Sequence, residues 1–282
     1  MSNLKLFNQQ ITDVRTQAYL QSVLGEKKNE FVNNCTALVA NNVNLQKCEP
    51  TTIMFAALKA TALDLPLDQN LGFAYVIPYE NKKEQKCVAQ LQFGYRAYVQ
   101  LAIRSGQFKK INVTDVRQGE LVGRDRRTGE MKFNWIEDEA ARSDAPVIGY
   151  LGYFRLVNGY EKESYWSVED LEKHGMRYSQ TFGSKYENVR NQSKWATDFD
   201  VMCRKTVLKL MLNKGDAPLS VQVQQAIKFD QSVIRDENDK PEYIDNNVEE
   251  AVAVEVAEAA NKTELPEENQ PIGKQKQPEI FK

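Results

Sequence analysis

The sequence predicts an α+β fold: an antiparallel β-sheet of hairpins packed with helices from both ends of the domain, followed by a disordered acidic C-terminal tail. Three observations predict it. Apolar residues recur at helical spacing before residue 64 and after residue 192, whereas the middle of the chain alternates short apolar runs with turn residues. A hairpin signal, Asn158-Gly159, sits inside that middle region. Residues 236–282 hold thirteen acids against five lysines, a net −8 that leaves +6 on residues 1–235 of a chain whose total is −2.

Helices open the chain, and residues 1–25 read as an N-terminal arm available for contact between subunits. The α+β domain then spans 26–235. From Glu26 to Asn42 a helix places Phe31, Cys35, Leu38 and Val39 on one stripe. Pro50 starts a second helix through Leu63, because its missing N–H costs nothing in a first turn. Gly72 to Tyr79 and Cys87 to Phe93 are strands joined by the polar turn 80–86. The helix from Tyr95 to Arg104 stops at Ser105-Gly106.

Strands follow at Phe108 to Val116, around Glu120 to Val122, and at Met131 to Trp135. Val147 to Val157 and Tyr160 to Trp166 flank Asn158-Gly159, whose two residues are both expected at positive φ. Ser167-Val-Glu-Asp170 is a capping box. A basic, polar loop from Gly175 to Gln192 leads into a long helix, about Ser193 to Asn213, and Pro218 starts a last one to about Phe229. The acidic tail, with Pro241, Pro266, Pro271 and Pro278, cannot bury enough apolar surface to offset chain entropy.

Composition excludes several chemistries. Cys35, Cys48, Cys87 and Cys203 form no C-x-x-C pair, so neither a disulfide framework nor a zinc site is readable and a reducing, cytoplasmic setting is expected. There is no signal-peptide core, and no run approaches the ~18 apolar residues of a membrane helix. Neither phosphate-cradling glycine motif occurs, which disfavours an ATP-driven motor. The one histidine, His174, reads as a helix-end residue. Pro66-Leu-Asp68 with Glu84-Gln-Lys86 loosely matches the acid–acid–lysine set of metal-dependent nucleases, but Glu84 and Lys86 fall in a hairpin turn. No catalytic residue and no metal ligand is assigned.

The positive charge is concentrated in two segments. One holds Arg96, Arg104, Lys109, Lys110, Arg117, Arg124, Arg126 and Arg127; the other runs from Lys173 to Lys214. At ~100° per residue, Trp195, Phe199, Met202, Thr206 and Leu210 make the buried stripe of the long helix, with Lys194, Lys205 and Lys209 as a row beside it and Arg204 and Lys214 extending the patch. Arg96, Gln100 and Arg104 recur along the shorter helix. Aromatics are interleaved with these cations, and cations on phosphates with rings on bases is the equipment of sequence-tolerant single-strand binding. The candidate DNA-binding residues are Arg96, Arg104, Lys109, Lys110, Arg177, Lys185, Arg190, Lys194, Arg204, Lys205, Lys209 and Lys214. The candidate base-stacking residues are Tyr98, Tyr178, Phe182 and Tyr186.

Leu71-Gly-Phe-Ala-Tyr-Val-Ile-Pro-Tyr79, then Gln92-Phe-Gly-Tyr-Arg96, Arg104-Ser-Gly-Gln107, Trp195 and Met202-Cys-Arg-Lys-Thr206, in this order, resemble the RecT family of phage single-strand annealing proteins. The resemblance covers roughly Phe31 to Arg235. It implies an ATP-independent recombination protein that coats single-stranded DNA, aligns a complementary strand and anneals the two. It also implies homo-oligomers, either rings or helical filaments, a partner exonuclease, and a tail contact with the host single-strand binding protein. No cofactor is required on this reading; Mg2+ is expected at most as a modulator of DNA binding.

Overall fold

In the computed structural model, two short helices, α1 (Asn3–Thr12) and α2 (Val14–Leu24), meet at Asp13, whose carboxylate accepts from the backbone N–H groups of Arg15 and Thr16. The structure describes residues 3–81, 84–179, 181–213, 217–218, 220–236 and 241–243. Residues 3–24, read above as an arm, bury Phe7, Ile11 and Leu20 in the main core. Helix α3 (Lys28–Ala40) buries Phe31, Cys35 and Val39, the expected stripe, with Leu38 only partly covered.

Helix α4 (Pro50–Ala62) begins at its proline as expected and buries eight residues, Thr52 to Leu58 and Ala60, so it has almost no solvent face. Its small alanines let a strand approach closely. The buried Thr52 hydroxyl accepts from the Ala89 N–H at 2.9 Å, and the Glu49 N–H donates to the Cys87 carbonyl at 2.9 Å. These bonds dock α4 on the hairpin of β1 (Ala74–Asn81) and β2 (Lys86–Phe93), which pair antiparallel from Ala74↔Phe93 to Asn81↔Lys86. The other edge of β2 is covered by the end of the domain: Gln231 N–H donates to Leu91 O and Leu91 N–H to Ser232 O.

Helix α5 (Tyr95–Arg104) matches the expected span. After it the strands separate into two further sheets rather than joining one. The three-stranded sheet has β3 (Phe108–Arg117) and β7 (Glu161–Ser167) on either side of β6 (Val147–Leu156), all antiparallel; β4 (Leu121–Arg124) and β5 (Met131–Phe133) form a separate ribbon, followed by α6 (Glu139–Asp144). At the β6–β7 turn only Gly159 has positive φ, +92°, and the expectation for Asn158 fails. Gly159 N–H donates to Leu156 O while the Asn158 side chain accepts from Tyr160 N–H, so a turn followed by a left-handed glycine replaces the two-residue loop.

Ser167 caps α7 (Val168–Tyr178) by accepting from Asp170 N–H at 3.1 Å. The basic loop is shorter than expected, because α7 reaches Tyr178 and α8 (Glu187–Asn191) forms within it. The expected long helix is two: α9 (Lys194–Thr197), capped by Ser193, and α10 (Phe199–Asn213), broken at Asp198, whose backbone (φ −134°, ψ 50°) is not helical. The last helix, α11 (Val221–Phe229), starts at the Ser220 cap. The chain divides into two units after Asn246, and every described residue belongs to the first. The tail read as disordered from residue 236 lies outside the described residues, apart from Asp236 and 241–243.

Candidate nucleic-acid interface

Helix α10 decides which cations are available. It buries Cys203, Thr206, Val207, Leu208, Leu210, Met211 and Leu212, and of the lysine row expected beside one stripe, Lys205 and Lys209 are tied to a buried carboxylate while Lys194 stays on the surface. Asp230, wholly buried, receives Lys209 Nζ at 2.8 Å and Lys205 Nζ at 3.7 Å, and also accepts from Phe93 N–H at 2.8 Å. Burial opposes ionisation of this carboxyl, but the two ammonium charges and the hydrogen bonds outweigh it and hold it at about 2. Lys205 is 12% exposed, and burial lowers its pKa despite Asp230.

Arg204 is held as firmly. Its Nη1 donates to Val113 O at 2.9 Å, its Nη2 to Asp115 Oδ1 at 2.9 Å and its Nε to Asp200 Oδ2 at 2.9 Å. Asp115 also takes Arg117 Nε at 2.6 Å, and Arg142 joins it to the fully buried Glu120. Burial works against these carboxylates, yet the guanidinium bonds and backbone N–H groups keep both below the usual range. Arg104 donates to the carbonyls of Leu63 and Asp64 and so closes the end of α4 onto α5. Lys194 is paired with Asp198 at 2.8 Å on the surface. Lys214 lies outside the described residues.

The remaining candidates are exposed or half-exposed and have no carboxylate partner among the described residues: Arg96, Lys109, Lys110, Arg177, Lys185 and Arg190. Arg96 is positioned by two glycines. Gly94 N–H donates to Phe73 O at 2.8 Å, and a Cβ on Gly94 would stand 2.1 Å from Gly72 O. Gly72 itself sits at φ +74°. This close crossing brings Arg96 Nη1 to Leu71 O at 3.0 Å and leaves Nε and Nη2 without a partner among the described residues. Leu71-Gly-Phe and Gly94-Tyr-Arg are thus one structural unit.

Of the stacking candidates, Tyr98 is a core residue at 0% exposure beside Asp230. Phe182 is buried too, stacked on Trp195 with centroids 5.9 Å apart; a Cβ on Gly175 would stand 2.7 Å from the same indole. These packings make the described residues of 175–199 a folded segment, not an open loop. Tyr178 lies half-buried between His174 and Arg177, at 4.5 and 5.3 Å. Tyr186, 73% exposed, is free to stack. Burial first, then the charges of Lys209 and Arg177, lower the His174 pKa to about 4. The nuclease-like set does not converge: Asp68 caps a helical turn through Asn70 N–H, Glu84 pairs with Arg235 and Lys86 with Glu49.

The ribbon β4–β5 was missed as a site. It exposes Arg124, Arg126, Arg127 and Lys132 without carboxylate partners among the described residues, and Trp135 just beyond it, 43% exposed, stacks on Phe133 at 4.7 Å with planes 18° apart. The available signal was an aromatic pair next to the arginine-rich turn 124–129. The unpaired cations named here therefore lie on three stretches, α5 to β3, this ribbon, and 177–190; Lys5, Arg15 and Lys47 are exposed elsewhere. No described helix is long and apolar enough to cross a membrane.

Comparison with known proteins agrees with the motif order. An uncharacterized protein of Bacillus subtilis (strain 168), YqaK, is 38% identical over 232 residues, 80% of this chain and 74% of that protein. Protein RecT of Escherichia coli (strain K12) is 27% identical over 201 residues, 66% of this chain and 65% of its own. The RecT family model matches residues 29–245, which include the Gly72–Gly94 crossing, the Asp230 ion pairs and all three cationic stretches. The chain belongs to the RecT family.

Proposed function

We propose that this chain is an ATP-independent single-stranded DNA-binding protein that anneals complementary strands in recombination, acting as a homo-oligomer, ring or helical filament, on DNA. The observation that carries the reading is the set of exposed cations left without carboxylates on a domain of the RecT family, interleaved with Tyr186 and Trp135. Annealing lowers the free energy by itself, so the protein need only remove the obstacles. Cations offset phosphate repulsion, and ring stacking holds bases unpaired and extended until the second strand arrives. No side chain makes or breaks a covalent bond in this scheme, so the protein is not an enzyme on this reading.

Each monomer covers only a few nucleotides, and assembly along the strand supplies length and cooperativity. The acidic tail either competes with DNA for the cationic surface or docks a partner exonuclease or the host single-strand binding protein; Mg2+ acts as a modulator, and the protein works in the cytoplasm of the bacterial host. The test is annealing of two labelled complementary oligonucleotides without ATP, across a salt series. Acceleration over the spontaneous rate supports the reading, and an unchanged rate with no single-strand binding overturns it.

A further inference from the structure

The geometry points to a modification site outside the DNA-binding surface: Cys48 and Cys87 are a dithiol that a low-molecular-weight disulfide converts into an intramolecular disulfide. Their Sγ atoms lie 2.8 Å apart, and both cysteines are free. A bond of roughly 2.0 Å requires the sulfurs to close by less than ~1 Å.

The backbones are already held in register for that closure. Glu49, next to Cys48, donates its N–H to the carbonyl of Cys87 at 2.9 Å. Its side chain pairs with Lys86, next to Cys87, at 2.6 Å. Arg235 clamps the same place, with Nη1 3.0 Å from Glu49, Nη2 2.7 Å from Glu84 and Nε 2.7 Å from Glu242. Once one of two thiols fixed this way carries a mixed disulfide, the other displaces its leaving group far faster than a thiol of a second molecule does, since orientation is supplied in advance.

Exposure sets the order of events. Cys87 is half-buried and reachable, whereas Cys48 is 5% exposed. The Cys87 thiolate attacks one sulfur of the reagent R–S–S–R; that S–S bond breaks, a mixed disulfide forms on Cys87 and one R–S⁻ departs. Cys48 then loses its proton and attacks the Cys87 sulfur, forming the Cys48–Cys87 bond and expelling the second R–S⁻. The two protein protons end on the two released thiols, and the two electrons given up by the cysteines reduce the reagent. Burial, then the Cys87 contact, raises the Cys48 pKa, so the second step accelerates as pH rises. Cys35 and Cys203, both at 0% exposure and both pushed up to about 12 by burial, have no such partner.

The new bond closes residues 48–87 into a loop that contains α4 and β1, and it fastens them where the Arg235 ion pairs bring in the end of the domain. Stability should rise accordingly, with Tm higher by about 5–10 °C. The experiment treats the full-length protein at pH 8 with excess glutathione disulfide, with no DNA present, so its result is separate from the DNA reading. Expected are a product lighter by two hydrogens with two thiols left, one cross-linked 48–87 peptide on non-reducing digestion, and a Tm rise that reductant reverses. Cys48→Ser should stop as a stable glutathione adduct on Cys87; where that variant does not fold, the wild-type peptide map decides alone. A persistent adduct on wild-type Cys87, modification of Cys35 or Cys203 before the pair, or no thiol loss while urea-unfolded protein oxidises readily, overturns the proposal.

Discussion

Lys209 Nζ lies 2.8 Å from Asp230 Oδ2, and the Asp230 side chain has no solvent exposure. A lysine that helical spacing places beside an aromatic stripe is therefore half of a buried ion pair. Asp230→Asn should keep the Phe93 N–H acceptor but leave Lys205 and Lys209 uncompensated, costing about 3–5 kcal/mol in urea unfolding. A variant that unfolds at the wild-type urea concentration would mean the pair is immaterial. For the same reason, charge reversal at Lys205 or Lys209 does not test DNA contact: it unfolds the domain first.

Two titrating groups divide the acid side of the stability profile. The folded pKa of His174 is about 4 against an ordinary 6.5, so the unfolded chain binds the extra proton first. The stability from this group is present above pH ~6.5 and is lost as pH falls toward 4, on the order of 3 kcal/mol in all. Asp230, held at about 2, contributes stability above its unfolded value near 4 that is lost as pH falls through 2. Urea midpoints between pH 7 and pH 4.5 should fall in the wild type and stay nearly flat in His174→Gln; parallel curves would refute the assignment.

Gly94→Ala forces a methyl group against the Gly72 carbonyl, backbone that cannot yield. Loss of about 2 kcal/mol or more is expected from the displaced β1–α5 crossing, together with loss of the Arg96–Leu71 bond. Arg96→Gln should leave stability within about 0.5 kcal/mol and lower single-strand affinity, so the pair of variants separates the scaffold from the contact it presents.

The exposed stretches should respond differently from the core. Lys109→Glu/Lys110→Glu and Arg126→Glu/Arg127→Glu should each weaken single-strand binding and flatten the log–log salt slope by about 0.7 for every phosphate no longer neutralised, with unchanged Tm. Trp135→Ala and Tyr186→Ala should cost about 1–3 kcal/mol of binding per stacked base, while Phe182→Ala should cost about 3–5 kcal/mol of stability through the emptied space at Trp195. Wild-type affinity in both charge-reversed doubles would place the DNA elsewhere.

Truncation after Asn246 keeps Glu242 on Arg235 and removes eight of the tail's thirteen acids, half of its net −8. Single-strand affinity should rise, or binding of a partner protein should disappear, as measured by titration with and without each partner. Unchanged affinity and unchanged partner binding would leave the tail without either role.

Local physics made much of the fold legible. Pro50 opens α4, the span of α5 is as expected, and the Ser167 cap and both long hairpins follow from residues within a few positions of one another. The α9–α10 break and the β6–β7 turn differ from expectation because a single backbone residue, Asp198 or Asn158, carries the deviation. The site was legible only in part. Arg96, Lys109, Lys110, Arg177, Lys185, Tyr186 and Arg190 remain available at the surface, whereas Arg204, Lys205 and Lys209 are engaged by carboxylates, Arg104 is bonded to the end of α4, and Tyr98 and Phe182 are buried.

The sequence by itself determined the α+β class, the family and the concentration of cations in two segments, because each is written in neighbouring residues or in plain charge counting. Only the tertiary structure decided which cations are free. Asp115 meets Arg204 from 89 residues away and Asp230 meets Lys209 from 21, and Thr52 and Cys48 find their partners on a hairpin strand. A helical wheel gives the angle of a side chain but not what packs against it. Charge becomes surface or core only when distant segments close over it.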